Sequence, residues 1–194
     1  MVQVLKEEIR SAILRAAQDE FIEYGYLSAS LRRIASKVGV SVGNLYRYYA
    51  GKEELFDAIV APAYVELERI LLHHESHATE NAPIVELIIE TFSKIDKELR
   101  KSLFILIDSS RATRHEQTVQ ALYKMMAENI VRHLEKNNLK TGTEEFTQEV
   151  AWPISIAFMQ GFFAIIRRNT GTEDYQKVLR QYVTFWYRGL QSFI

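Results

Sequence analysis

The sequence predicts an all-α protein of two parts, a small three-helix head followed by a larger helical bundle. Three observations lead there. Glycine and proline supply only 8 and 3 of the 194 residues, about half of average usage, so turns are few and helices long. Apolar residues recur every three to four positions through most of the chain, and no stretch alternates convincingly with the two-residue period of a strand. Hydrophobic residues make up 47% and charged residues 25%, a composition that can bury a core and is too apolar for disorder.

The elements follow in order. Ile9, Ile13, Ala16, Ala17, Phe21 and Tyr24 share one face of a first helix, Lys6 to Tyr24, which ends at Gly25. Two short helices come next, Ser30 to Val38 and Ser41 to Tyr48. Each opens on a serine able to cap free amides, and Gly39 between them takes a left-handed turn. A long helix runs from Lys52 to about His74 and bends near Pro62. Another starts at Pro83, where a missing N–H does no harm, and ends at Lys101. Leu103 to Arg111 reads as a shorter helix, followed by long ones over Glu116 to Asn137, Thr143 to Asn169 and Thr172 to Phe193. Val150 to Ile166 carries no charge, but its 17 residues reach only about 25 Å, short of a hydrocarbon core of about 30 Å. With Pro153, Ser155, Gln160 and Gly161 inside it, it reads as a buried helix.

Charge is distributed unevenly. Residues 1–52 hold eight Lys/Arg (6, 10, 15, 32, 33, 37, 47, 52) against five Asp/Glu, although the whole chain carries a net charge of -1, and residues 30–52 contain no acid at all. A basic block on a near-neutral chain points to an anionic partner held at one end. The absence of cysteine excludes disulfides, thiolate zinc sites and cysteine nucleophiles. Met1 to Arg10 carries Lys6, Glu7, Glu8 and Arg10 in place of the apolar run of a signal peptide, so the expected location is cytoplasmic.

Within the basic block, Ala35, Gly39 and Leu45 have helix-turn-helix spacing: a small residue where two helices cross, a glycine in the turn, and a leucine that plugs the second helix onto the first. The surrounding run, Ile13 to Val60, resembles the N-terminal domain of the TetR family of bacterial transcriptional regulators. The resemblance rests on Ala16-Ala17, Phe21, Gly25-Tyr26, Ile34-Ala35, Gly39-Val40-Ser41, Leu45-Tyr46-Arg47-Tyr48-Tyr49 and Lys52-Glu53-Glu54-Leu55. Two positions depart from the family pattern: Tyr49 stands where Phe is usual, and Ala50-Gly51 where a polar pair is usual. The rest of the chain resembles the family only in length and helical pattern.

The resemblance implies a helix-turn-helix DNA-binding domain over residues 1–51 and a helical-bundle ligand-binding and dimerisation domain over 52–194. It implies a homodimeric regulator, expected to be a repressor, that a small molecule releases from a near-palindromic double-stranded operator. No catalytic residue and no cofactor are expected. A recognition helix enters the major groove by its first turn, so Val42, Gly43 and Asn44 are placed to read bases. Asn44 suits an adenine, Val42 a thymine methyl, and Gly43 a close backbone approach. Arg47 reaches a guanine or a phosphate. Arg32 matches a groove-entering position of some family members, whereas Arg33 and Lys37 suit phosphate contacts or solvated charges. Ser30, Ser41, Tyr46, Tyr48 and Lys52 resemble the family's phosphate clamp, which sets register without reading sequence.

The competing signal is His73-His74-Glu75-Ser76-His77, whose His73 and His77 have the four-residue spacing of two ligands on one helix face. A helical-bundle metal-binding protein or enzyme is the alternative reading, against an exposed helix end. A pocket for a mostly apolar or aromatic effector is expected among Phe92, Phe104, Ile107, Tyr123, Met126, Phe158 and Phe162, with Asp108 or Arg111 as its polar anchor. Dimerisation is expected through the last two helices. One carries Tyr175, Val178, Leu179, Tyr182, Val183 and Trp186 in a stripe, and the other is apolar nearly all round.

Overall fold

The computed structural model describes residues 2–73, 84–141, 148–168 and 174–191, and every regular element among them is helical. The helices are α1 (Val2–Ser28), α2 (Leu31–Val38), α3 (Val42–Leu45), α4 (Lys52–His73), α5 (Ile84–Ser93), α6 (Lys97–Ser109), α7 (Thr118–Thr141), α8 (Ala151–Arg168) and α9 (Tyr175–Gln191). A single 3-10 turn, Gln148–Val150, leads into α8. No helix among the described residues is long and apolar enough to cross a membrane.

Several boundaries differ from the sequence expectation: α1 runs from Val2 to Ser28 across a break at Gly25, and α7 extends to Thr141. The helix expected from Pro83 to Lys101 is two helices, because Asp96 accepts the Leu99 N–H at 2.8 Å and so starts α6 afresh. Aspartate at that spacing is an N-cap, and α6 therefore absorbs the separate helix expected over Leu103 to Arg111. The second short helix stops at Leu45 rather than Tyr48, its last residues forming a turn. The helix expected from Thr143 begins instead at Ala151, which puts Pro153 in a first turn, where proline is tolerated.

The chain folds into two compact units that do not follow its order. The first comprises residues 1–65 and 101–116, the second 66–100 and 117–194. The first unit buries Ile13, Ala17 and Phe21 of α1, Ile34 and Ala35 of α2, Leu45 of α3, Leu55 and Phe56 of α4, and Leu103, Ile105 and Leu106 of α6. Phe21 meets Phe56 edge-on at 5.1 Å. Polar ties join α6 to α1: Gln18 Nε2 donates to Ser102 Oγ at 3.1 Å, and Ser109 Oγ to the Phe21 carbonyl at 3.5 Å. After α6 the chain turns through Ala112, which holds a left-handed φ of 62°. It then brings His115 Nε2 to 2.7 Å and an Arg114 guanidinium nitrogen to 2.9 Å from the Asp57 carboxylate of α4.

The second unit is built on α8, which packs between α7 and α9, while α5 packs on α9. Phe158, Phe162, Phe163, Ile165 and Ile166 of α8 are all buried within it. The nearly all-round apolar character of α8 is thus largely consumed by neighbours in the same chain. Gly161 makes the α8–α9 approach close: a Cβ there would lie 2.6 Å from Tyr182 Cζ and 2.7 Å from Cε2. The space lets the Tyr182 hydroxyl donate to the Phe158 carbonyl at 2.6 Å, and burial pushes that phenol's pKa up to about 12. Gly161→Ala is expected to displace the Tyr182 ring and destabilise the protein by about 1–3 kcal/mol. Unchanged urea unfolding of this variant would refute the close-packing argument.

Candidate nucleic-acid interface

The head is assembled by local caps that the sequence spells out. Ser30, extended at φ -124°, accepts the Arg33 N–H on its hydroxyl oxygen at 3.4 Å and opens α2. Gly39 closes α2 in the left-handed region, φ 76°, and the Val40 N–H reaches back to the Ala35 carbonyl at 3.0 Å. Ser41 repeats the cap for α3, accepting the Asn44 N–H at 3.1 Å. A serine that accepts a backbone N–H keeps its own O–H free to donate, so neither cap removes the hydroxyl as a phosphate ligand. Ala35 is 1% exposed and Leu45 fully buried, the crossing and the plug that their spacing predicts.

Around this core the expected reading surface is open to solvent. Gly43, Tyr46 and Arg47 are exposed, and Val42, Asn44 and Tyr48 partly so. Arg32 and Arg47 hold no ion pair among the described residues and project their charge outward. Tyr49 is buried instead, with the Arg10 guanidinium 5.3 Å above its ring, and burial raises its phenol pKa. Its hydroxyl lies inside the head with the ring. Where Ala50-Gly51 replaces a polar pair, the Ala50 N–H donates to the Glu54 carboxylate, so α4 caps itself by reaching back.

The other cations of the basic block are engaged within the head. Lys37 pairs with Asp19 at 2.6 Å. Arg33 Nε donates to Glu20 Oε1 at 2.7 Å, its Nη2 donates to the Ser28 carbonyl at 2.9 Å, and its guanidinium lies 4.2 Å from the Tyr24 ring centroid. Lys52 Nζ donates to the carbonyls of Leu27 at 3.1 Å and Ala29 at 3.2 Å and sits 4.7 Å from the Tyr26 centroid. Glu20, only 8% exposed, also accepts the Ser30 N–H at 2.8 Å. Sequence reasoning missed Glu20, although a signal existed. It falls on the apolar stripe of α1 beside Phe21, and a carboxylate there demands a cationic partner.

The expected effector residues divide between the two units. Phe92, Tyr123, Met126, Phe158 and Phe162 belong to the second. There Phe92 meets Phe162 edge-on at 4.9 Å and Phe158 at 6.5 Å, and the Tyr123 hydroxyl accepts from Gln160 Nε2. Phe104, Ile107, Asp108 and Arg111 belong to the first, with Asp108 and Arg111 exposed. Of the histidine cluster, His73 ends α4, while His74 to His77 lie outside the described residues. Among the described residues no three His, Asp or Glu side chains are grouped to hold a metal.

Comparison with known proteins matches the head first. The family described as "Bacterial regulatory proteins, tetR family" matches residues 13–59. The HTH-type transcriptional repressor Rv3405c of Mycobacterium tuberculosis is 31% identical over 90 residues, which span 46% of this chain and 45% of that protein, under half of its length. Among solved structures, the TetR family regulator PfmR from Thermus thermophilus superposes with a TM-score of 0.65 at 22% identity, covering 89% of this chain and 94% of that one. NalD of Pseudomonas aeruginosa, the secondary repressor of the MexAB-OprM multidrug efflux pump, superposes with a TM-score of 0.63 at 22% identity, covering 95% and 97%. At those identities the structures attest the fold alone, and the family match is confined to the head. Residues 13–59 thus match the tetR family of bacterial regulatory proteins, and the chain as a whole, an N-terminal helix-turn-helix head with a helical remainder, shares the fold of these solved regulators.

Proposed function

We propose that the chain is a homodimeric repressor that binds a near-palindromic DNA operator through its head and leaves it when a mostly apolar or aromatic small molecule binds. One observation carries the DNA reading: the capped α2–α3 pair presents Arg32, Asn44 and Arg47 outward in a stretch, residues 30–52, that contains no acid. Residues 1–51 form the DNA-binding domain and 52–194 the ligand-binding and dimerisation domain. Val42, Gly43 and Asn44 read bases from the first turn of α3, with Arg32 and Arg47 at the flanks. Ser30, Ser41, Tyr46 and Tyr48 hold phosphates and set register. Repression is supported by the printed names of Rv3405c and NalD.

The effector reading rests on the second unit. Phe92, Phe158 and Phe162 gather there, Phe163 links Phe162 to the Tyr123 ring, whose hydroxyl accepts from Gln160, and Met126 of the same helix as Tyr123 is an adaptable further candidate. Such a lining suits a flat apolar ligand with one hydrogen-bonding group. The dimer reading rests on exposed aromatics of the last two helices, Trp152 at 44% and Phe185 at 72%.

Selection from a random DNA pool tests the DNA reading. The enriched sites are expected to contain two half-sites about one helical turn, roughly 34 Å, apart. Asn44→Ala is expected to cost about 1–3 kcal/mol and relax one base position, leaving the others intact. Failure of the wild-type chain to enrich any site would sink the proposal.

A further inference from the structure

The C-terminal end of a helix leaves carbonyl oxygens without amide partners, and cations are favoured there by both hydrogen bonding and the helix dipole. In α1 the chain breaks at Gly25, φ 68° and ψ 169°, and continues for one turn to Ser28. The Ala29 N–H satisfies the Gly25 carbonyl at 3.1 Å. At this corner the carbonyls of Leu27, Ser28 and Ala29 are taken by two side chains from elsewhere: Lys52 holds the first and third, Arg33 the second. Each cation also rests on a tyrosine of α1, Lys52 on Tyr26 and Arg33 on Tyr24. Glu20 then ties Arg33 to the Ser30 N–H, the residue that caps α2.

Resting on the DNA-binding reading above, we infer that Arg33 and Lys52 serve operator binding as positioning residues: a two-cation clamp on the carbonyls of Leu27, Ser28 and Ala29 that orients α2, and through it α3, instead of neutralising phosphates. The clamp joins the start of α4 to the corner between α1 and α2, so the helix that carries Arg32 leaves α1 in one direction. Two of the three ammonium donors of Lys52 are spent on carbonyls, and Arg33 spends Nε and Nη2 on Glu20 and Ser28. Loss of either cation hands these carbonyls to water, which ties nothing together, and lets α2 swing, which weakens every operator sequence alike. The number of phosphates neutralised stays the same.

Salt titration separates the roles, because each phosphate contact contributes about 0.9 to the slope of log affinity against log salt. The full chain, its Lys52→Met and Arg33→Met variants and an Arg47→Gln control are titrated with the operator selected by the wild type. Binding is read by fluorescence anisotropy at several salt concentrations, well below each variant's melting temperature. For the two clamp variants the expected result is an affinity lower by about tenfold or more, the scale of a lost charged hydrogen bond, at an unchanged salt slope. A slope flattened by about one unit would make the residue a phosphate ligand and overturn the clamp. A lower melting temperature with unchanged affinity of the folded protein would make it a purely structural tie, which also overturns the proposal. Should Lys52→Met not fold, Lys52→Gln, with one amide left to donate, is read by the same criteria. Absence of wild-type binding would sink the DNA reading and the clamp with it, whereas wild-type binding with a flattened variant slope sinks the clamp alone.

Discussion

The wild type is expected to sediment as the proposed dimer, at twice 22.5 kDa, and Phe185→Glu as a 22.5 kDa monomer that no longer binds operator at physiological salt. Phe185 is 72% exposed on α9, and its ring meets Trp186 edge-on at 6.3 Å. An aromatic so exposed contributes little to the monomer's own core. At the centre of an interface, loss of such a ring costs about 2–4 kcal/mol. A buried carboxylate without a partner adds to that. The effect on DNA is larger still, because a lone head holds one half-site and forfeits the effective concentration that linkage gives the second, about 10²–10⁴ in affinity. Analytical ultracentrifugation at micromolar protein measures the mass, and anisotropy on the selected operator measures the second effect. A wild-type mass of 22.5 kDa, or a variant that remains dimeric, would remove Phe185 from the interface.

The second large effect concerns release from DNA. Phe158 is buried at 8% exposure and meets Phe92 at 6.5 Å, Tyr182 at 5.5 Å and Trp186 at 5.9 Å between ring centroids. Leucine fills much of the same volume, so Phe158→Leu is expected to keep the fold at a cost of about 1.5 kcal/mol or less. It nevertheless removes the flat ring against which an aromatic ligand would stack. Taking a regulator from 1:99 to 99:1 in favour of its DNA-free form requires about 5.5 kcal/mol of differential affinity. A ring contact worth a fraction of that shifts the balance visibly. A panel of small aromatic compounds is screened for those that raise the melting temperature of the wild type and release it from operator DNA. With such a compound, Phe158→Leu is expected to stay bound at concentrations that free the wild type, while its affinity for DNA without compound is unchanged. Altered DNA affinity in the absence of compound would mean that the residue acts through stability or assembly, and the pocket reading would fall.

Tyr175 is 1% exposed and donates its hydroxyl to the Phe92 carbonyl at 3.0 Å. Burial pushes its phenol pKa well above the usual range despite the Arg100 guanidinium 4.5 Å from its ring. Arg100 in turn gives an N–H to the Ile95 carbonyl at 2.9 Å. The Tyr175 hydroxyl and one Arg100 N–H are thus spent on backbone carbonyls, and the Tyr123 hydroxyl, whose ring meets Phe163, is held by Gln160.

What the sequence determined by itself is what depends on neighbours a few residues away. Ser30, Gly39 and Ser41 cap their helices as serines and glycines do at those positions, and Ala35 and Leu45 lie buried where the spacing puts them. The same short range explains the helical class, because few turn residues and a three-to-four-residue apolar period act locally. Only the tertiary structure decided which charges of the basic block remain for a partner. Arg32 and Arg33 are adjacent and chemically identical, yet one projects outward while the other is drawn to Glu20, 13 residues back. Lys52 reaches carbonyls 25 and 23 residues away, and no local pattern marks a backbone oxygen as a ligand. The same holds for α6, whose seat in the first unit depends on contacts such as Ser109 to Phe21 across 88 residues. Gly161 and Tyr182 likewise fit each other only once α8 and α9 are packed. Caps and periodicity are encoded in the chain's own geometry, whereas the partner of a long side chain is chosen by which carboxylate or carbonyl the completed packing leaves within a few ångströms.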